Sequence, residues 1–348
     1  MPTERGRRRV MAVTIRDVAR HADVSIATVS RALSAPDLVA ERTRARVIAV
    51  ARQLGYEPNR AARSLITGRT GFIGAVVPDV SNPFFLGVLK GIQAGARERG
   101  HHVLLADTAE DPETEAGLLR SIGRQADGLV LLSSRLSVPQ LRDFSGDERT
   151  FNTVLFNRVL PGFPAVLLDS GDGIRQIIGH LTALGHRRCA YAGGPRESFA
   201  DAERRRGLAR SCQHTGMRIV DLGAFPPQFS SGARVADMAL ESGVTAIIAY
   251  NDLVALGVLA RLRDRRVDVP LDLSVVGFDD IPMASMSAPR LTTVSLPLEQ
   301  AGRSLVELLL QPQQLDERTG GVARPRGRLM PVRLVVRSST AAARRPRG

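Results

Sequence analysis

The sequence predicts an α/β protein built as a small helical head followed by a two-lobed body of doubly wound parallel sheets. Three observations carry that expectation. Apolar residues at helical spacing divide residues 14–33 into two short helices; from Phe72 onward apolar strands alternate with amphipathic helices in two successive series; and a formal net charge of +13 is gathered at the chain ends. A chain of 348 residues is too long for one small domain, and 43% hydrophobic with 24% charged residues is ordinary globular composition.

In the head, Ile15, Val18 and Ala19 recur at helical spacing, pause at a turn, and resume as Ile26, Val29 and Leu33. Thr14 with Asp17 three residues later is a capping-box variant, and Ser25 stands where the second helix needs its own cap. Asp23 occupies the corner between them, where Gly is best and Asp or Asn is tolerated in left-handed backbone. This is the pattern of a helix-turn-helix. Small Ala19 lets the second helix cross closely over the first, while Ile26, Ala27, Thr28, Ser30 and Arg31 leave an outward face of short and polar groups that fits a DNA major groove. Residues 41–54 supply a third helix with Val47, Ile48, Val50, Ala51 and Leu54 inward; Ala40 before it offers no side-chain cap. The head spans residues 13–57, behind a basic, disordered arm at 1–12.

Residues 59–65 are compatible with a short helix, but seven residues are too few to hold one in water unaided. They fall within a linker at 58–70. From there strands are expected at 72–78, 102–107, 128–132 and 153–157 with helices at 83–99 and 112–125 between them. A second series has helices near 171–184, 202–214, 233–242 and 252–262, with strands near 189–194, 218–222, 246–250 and 274–278. Residues 291–297 return the chain to the first lobe, 298–310 form a further helix, and 329–336 (LMPVRLVV) read as one strand returning to the second. Lobe one is thus about 71–168 and 297–327, lobe two about 169–296 and 328–340, and 341–348 a disordered basic tail. No leucine heptad follows Arg337, so no coiled-coil tail is expected.

Charge follows the same division. Residues 1–70 carry 14 Arg against six acids and residues 318–348 nine Arg and no acid, which leaves the middle of the chain close to neutral. A basic head on a neutral body is the electrostatic footprint of DNA binding. No apolar run reaches membrane-spanning length, and the opening MPTERGRRRVMA lacks the apolar core of a secretory signal, so the protein is expected in the cytoplasm with no membrane partner. Cys189 and Cys212, without metal-ligand spacing, read as reduced, packed thiols. Enzyme readings find no support: no G-x-G-x-x-G follows a strand, no Walker lysine exists, and His101, His102, His180 and His186 form no nucleophile–base or metal pattern. No metal or cofactor is called for.

The motifs T-I-x-D-V-A, V-S-x-x-T-V-S-R-x-L and L-G-Y-x-P-N-x-x-A-x-x-L, then L-x-x-L-G-H, Y-N-D-x-x-A-x-G and V-V-G-F-D-D, occur in that order from Thr14 to Asp280. The chain resembles the lactose-repressor (LacI/GalR) family of bacterial transcription regulators. The resemblance implies a periplasmic-binding-protein-like body, a homodimer on double-stranded operator DNA, and repression controlled by a small carbohydrate-like effector. In the head it implies Ile26, Ala27 and Arg31 as base readers, Thr28 and Ser30 as phosphate contacts, and the caps Thr14 and Ser25 among the DNA-facing residues. The resemblance further implies that Asn59 opens a hinge helix, that Ala62 lies against the minor-groove floor, and that Leu65 is the wedge between base steps.

Ligands of open parallel sheets bind beyond the carboxyl ends of the strands, which singles out Asp79, Asn157 and Asn251. Asn251 and Asp252 also stand where the next helix needs a cap. The resemblance adds Arg204 as the effector-gripping arginine, Asp279 as its hydroxyl-binding acid, and Phe84 and Phe85 as stacking aromatics; Arg and Asp together suit a polyol. Ser198 is the eighth effector-facing residue that the resemblance implies; where the purine-binding member of the family carries Arg and Thr this chain has Ser198 and Ala200, which disfavours a purine. The aromatic expected after the strand at 218–222 is Phe225 or Phe229.

Overall fold

The computed structural model describes residues 13–34, 36–56, 69–146, 152–311 and 327–344. The chain divides into two compact units, residues 1–70 and 71–348. The first contains α1 (Ile15–His21), α2 (Ile26–Ser34) and α3 (Glu41–Leu54). Val18, Val29 and Val47, one from each helix, are fully buried, with Ala19 and Ala51 beside them. The helices meet where small and β-branched residues allow close approach. Asp23 turns the corner at φ 49°, in the left-handed region anticipated for it. α3 starts at Ala40 without a side-chain cap and ends at Gly55 in left-handed backbone, a regular helix stop.

The second unit holds two parallel sheets. In the first, β1 (Phe72–Val77), β2 (His102–Asp107), β3 (Gly128–Leu132), β4 (Thr153–Phe156), β5 (Ala165–Leu168) and β11 (Gly327–Met330) lie in the order β11-β5-β4-β3-β1-β2. α4 (Pro83–Glu98), α5 (Pro112–Gly123), α6 (Val138–Gly146) and α12 (Leu298–Leu310) accompany it. In the second, β6 (Arg188–Gly193), β7 (Arg218–Ala224), β8 (Ala246–Ala249) and β9 (Ser274–Val276) run in the order β7-β6-β8-β9, with α7 (Ser170–Ala183), α8 (Phe199–Thr215), α9 (Ser231–Glu241), α10 (Asp252–Asp264) and the short α11 (Pro282–Met286). Each sheet is buried on both faces. On β1, Ile73, Ala75 and Val77 join one core while Val76 joins another; on β6, Cys189 and Tyr191 face oppositely to Ala190 and Ala192. Two-sided burial is what continuous apolar runs in parallel strands require.

The lobes are joined by chain crossings, one of them a two-stranded antiparallel ribbon of β10 (Thr293–Ser295) and β12 (Arg333–Val335). Bridges Val276–Thr292 and Asp279–Ser295 attach the crossing segment to the carboxyl end of β9. Four features differ from the sequence reading. α6 and β5 carry no strong periodic signal and were not expected. The stretch read as one strand at 329–336 is two: β11 pairs with β5 in the first sheet, so residues 328–330 belong to lobe one, and Pro331, which lacks an N–H, interrupts the ladder before β12. Residues 341–344, expected to trail off, are held against lobe two. The Ala341 N–H donates to Ser274 Oγ at 3.2 Å and the Ala343 N–H to the Leu184 carbonyl at 2.8 Å, while buried Ser339 donates to the Val275 carbonyl at 2.6 Å.

Residues 1–12 of the arm, Asn59, Ala62 and Leu65 of the hinge, and residues 345–348 of the tail lie outside the described residues. Both cysteines are free thiols, Cys189 buried and pushed up to about 12 by that burial. Among the described residues no helix is long and apolar enough to cross a membrane.

Candidate functional site

The head presents a defined helix start. Asp17 accepts hydrogen bonds from the Thr14 N–H at 3.0 Å and the Thr14 hydroxyl at 2.7 Å, and these bonds hold its carboxyl below the usual range. Ser25 Oγ accepts from the Thr28 N–H at 3.1 Å, fixing the first turn of α2. A second contact, 2.8 Å between the Ser25 and Thr28 hydroxyls, locks both side chains at that turn. With Val29 buried, Ser25, Ile26, Ala27 and Arg31 are exposed and Thr28 and Ser30 half-buried. Ile26, an apolar β-branched side chain, is 46% exposed at the start of the helix, which leaves it free to meet another apolar group. All the head residues singled out from α2 and its cap therefore lie on or beside one outer face.

In the body, the carboxyl ends of both sheets converge on one cleft. Its walls are Asn82, Phe84, Phe85, Glu110, Ser133, Arg135 and Asn157 from lobe one, and Ala200, Arg204, Pro227, Tyr250, Asn251 and Asp279 from lobe two. Backbone strain gathers here: Glu110, Ser133, Asn157 and Asp279 all have positive φ without being glycine. Such conformations persist where surroundings over-determine them, commonly at ligand sites.

Phe84 and Phe85 start α4 behind the Asn82 cap, whose side-chain oxygen accepts from the Phe84 N–H at 3.1 Å. Their rings meet edge to face at 5.0 Å, and Phe84 stacks on Phe156 at 6.0 Å, forming an apolar wall for lobe one. On the opposite wall Arg204 is 4% exposed. Its guanidinium lies over Phe278 at 3.7 Å and Tyr250 at 4.7 Å, donates from Nη1 to the Tyr250 carbonyl, and stands 3.8 Å from Asp279. Nε of Arg204 is buried and has no hydrogen-bond partner among the described residues. Burial pushes the Asp279 carboxyl up to about 7, against the opposing influence of Arg204. Aromatic faces, a buried guanidinium with an unused donor and a carboxyl beside it can bind vicinal hydroxyls and the apolar face of a sugar ring.

Six of the eight cleft residues singled out from sequence line this space: Phe84, Phe85, Asn157, Arg204, Asn251 and Asp279. Asp79 does not; it is half-exposed and its carboxylate accepts from the Ser81 N–H at 2.8 Å, ordering the turn after β1. Ser198 stands one layer back, capping α8 by accepting from the Asp201 N–H at 3.2 Å and sharing a 3.0 Å hydrogen bond with the Tyr250 hydroxyl. Asn251 does both things considered for it, lining the cleft while capping α10 through the Val254 N–H at 3.0 Å. Asp252 is fully buried and bonds the Thr293 hydroxyl at 2.6 Å and the Ile281 N–H at 2.9 Å, tying α10 to the crossing strand. Neither aromatic after β7 lines the cleft: Phe225 is in the lobe-two core, Phe229 is 54% exposed, and Pro227 between them faces the space.

Sequence reading missed Glu110, Ser133, Arg135 and Tyr250. Glu110, Ser133 and Arg135 follow β2 and β3, whose carboxyl ends carry no motif, and Tyr250 reads in the sequence as the last apolar residue of β8.

The geometry of both units agrees with known proteins. Residues 14–59 match the family described as bacterial regulatory proteins, lacI family, and residues 178–340 the periplasmic binding protein-like domain. The HTH-type transcriptional regulator GalS of Salmonella typhimurium is 37% identical over 306 residues, 86% of this chain and 89% of its own length. The chain belongs to the lacI family. A second relative of this lacI-family regulator, the HTH-type transcriptional repressor CytR of Escherichia coli, is 33% identical across 95% of this chain and 97% of its own. Among solved structures, the lac repressor dimer bound to operator and the anti-inducer ONPF superposes with a TM-score of 0.82 at 26% identity, covering 95% of this chain and all of that one. A complex of the transcriptional regulator CelR with cellobiose superposes at 0.68 with 30% identity, covering 94% and 99%. The lacI-family chain is a DNA-binding transcription regulator with a helix-turn-helix head and a two-lobed body of parallel sheets.

Proposed function

We propose that this regulator is an operator-specific repressor, acting as a homodimer in the cytoplasm, whose DNA affinity is set by a small carbohydrate-like effector held between the lobes. The observation that carries the reading is Arg204: a cleft-lining guanidinium 4% exposed, clasped by two aromatic rings, beside Asp279, with a buried Nε that has no partner among the described residues. A buried donor left unsatisfied costs about 1–3 kcal/mol, so a ligand hydroxyl that accepts from it restores that energy on binding. The cellobiose complex of CelR and the dimeric, operator-bound lac repressor support the ligand class and the assembly. In the head, Ile26, Ala27 and Arg31 are the proposed base readers, with Thr14, Ser25, Thr28 and Ser30 toward the backbone. In the hinge, Asn59, Ala62 and Leu65 are the proposed minor-groove contacts.

The experiment is Arg204→Ala in the full-length protein. Loss of one charge-assisted contact, roughly 1.5–3 kcal/mol, is enough to remove a typical coupling between sites, so ligand-induced change in operator affinity should disappear while ligand-free operator affinity stays. An unaltered ligand response in this variant would refute the assignment.

A further inference from the structure

On the lobe-one wall, opposite Arg204, stands an ion pair outside every residue assigned so far to the effector. Arg135 Nε donates to Glu110 Oε2 at 2.6 Å, Nη2 to Glu110 Oε1 at 3.1 Å, and Nη1 to the Ser133 carbonyl at 3.1 Å. The Arg135 backbone N–H donates to the buried carboxylate of Glu115 at 2.8 Å. The fork is therefore fixed in place, 6% exposed, and three of its five N–H groups are used. Two have no acceptor among the described residues, and the side chain lines the cleft.

Stability alone does not account for such a pair, because desolvating two charges offsets most of their attraction. The segments that deliver it are themselves strained: Ala109, Glu110 and Ser133 have φ of 52°, 62° and 49° without being glycine. The two walls also match in charge. Arg135 comes with Glu110, and Arg204 stands beside Asp279 at 3.8 Å. Lobe one thus carries no spare positive charge for a phosphate or carboxylate group, whose own charge would meet Glu110; above about pH 7, where Asp279 is ionised beside Arg204, the same holds for lobe two. An uncharged polyol finds a donor and an acceptor on both sides.

We propose that Arg135 and Glu110 are the lobe-one specificity pair, binding hydroxyls at the end of the effector remote from Arg204 and restricting the cleft to uncharged, unphosphorylated polyols. The proposal rests on reading the cleft as a carbohydrate site and says which carbohydrates and which lobe-one residues. Glu110 sets the charge requirement by neutralising Arg135; Arg135 supplies the donors.

Calorimetric titration of the full-length protein at about pH 8, where Asp279 is ionised, tests it, with D-ribose, D-galactose and cellobiose as neutral probes and ribose 5-phosphate and galacturonate as charged ones. Wild type, Arg135→Met and the near-isosteric Glu110→Gln are compared, with circular dichroism and thermal midpoint as checks on folding. Wild type is expected to bind at least one neutral sugar, and to bind the charged probes at least roughly tenfold more weakly, since like charges are juxtaposed. Arg135→Met should weaken the neutral sugar by roughly tenfold or more, the loss of a charge-assisted hydrogen bond. Glu110→Gln leaves Arg135 uncompensated and should move the preference toward ribose 5-phosphate or galacturonate, a change that a purely structural pair would not produce. A folded Arg135→Met that binds like wild type, an unaltered preference in Glu110→Gln, or a wild type that prefers the charged probes overturns the proposal and leaves the carbohydrate reading standing. If no probe binds wild type, the carbohydrate reading falls and this assignment with it.

Discussion

Asp279 joins burial, charge and function at one residue. Burial raises its carboxyl to about 7, with Arg204 opposing, and Asp252 behind it is raised well above its ordinary value by burial and then by the charge of Asp279. An unfolded Asp titrates near about 3.9, so between there and about pH 7 the folded chain holds the extra proton and its stability contribution is lost as pH rises. For a ligand whose hydroxyl donates to the ionised carboxylate the sign is reversed. Below about pH 7 a proton must leave before the bond forms, and effector affinity should fall by up to about tenfold per pH unit. Titrations between about pH 6 and about pH 8 should show that slope in wild type and none in Asp279→Asn; affinity that rises on acidification would mean that Asp279 acts as a protonated donor. Arg204 and Asp279 were legible in the sequence because they sit in ordered motifs at fixed spacing. Arg135 was not, because it follows an apolar strand without a motif of its own and is picked out only by its distance to Glu110.

Among the elements, close helix pairs recur in both lobes. α4 crosses α12 at Gly91 and Gly302, where a Cβ on Gly91 would overlap the Glu299 carbonyl and come within 2.9 Å of the Gly302 Cα. α9 crosses α10 at Gly232 and Gly257 in the same way. Gly91→Ala should therefore destabilise the body by at least about 1–3 kcal/mol, as overpacking against backbone that has nowhere to relax. Gly117, on the exposed side of α5 with no atom near its added Cβ, makes the contrast: Gly117→Ala should stabilise by about 0.5–1 kcal/mol. Denaturant melts of the two variants compare them directly, and equal midpoints would show that the crossings tolerate a methyl group. The caps of the head and the βα alternation of the body were legible because each is a local code, a hydroxyl or carboxylate at a helix start and a two-sided apolar run. The ribbon at 293–295 and 333–335 was not, because its partners are far apart in sequence. At 329–336 only Pro331 signalled that one apolar run is two strands.

Across the whole molecule, a basic head and a cleft lined by two arginine–carboxylate pairs occupy separate units of one chain. That division makes nonspecific attraction to phosphate a property of the head and control a property of the body. Leu65 is proposed to join them at the DNA: Leu65→Ala should lose discrimination between operator and random duplex while keeping salt-sensitive binding, read from affinities for both duplexes at matched salt. Retention of full discrimination would reduce residues 59–65 to a tether. The central claim, that cleft and operator are coupled, is tested most directly by closing a thermodynamic cycle on the full-length protein. Operator affinity is measured with and without a saturating sugar, and sugar affinity with and without operator duplex. Linkage requires the same factor in both directions, typically about 5–150-fold, and Arg204→Ala should bring it to one. Operator affinity that does not change when the cleft is filled would contradict the account.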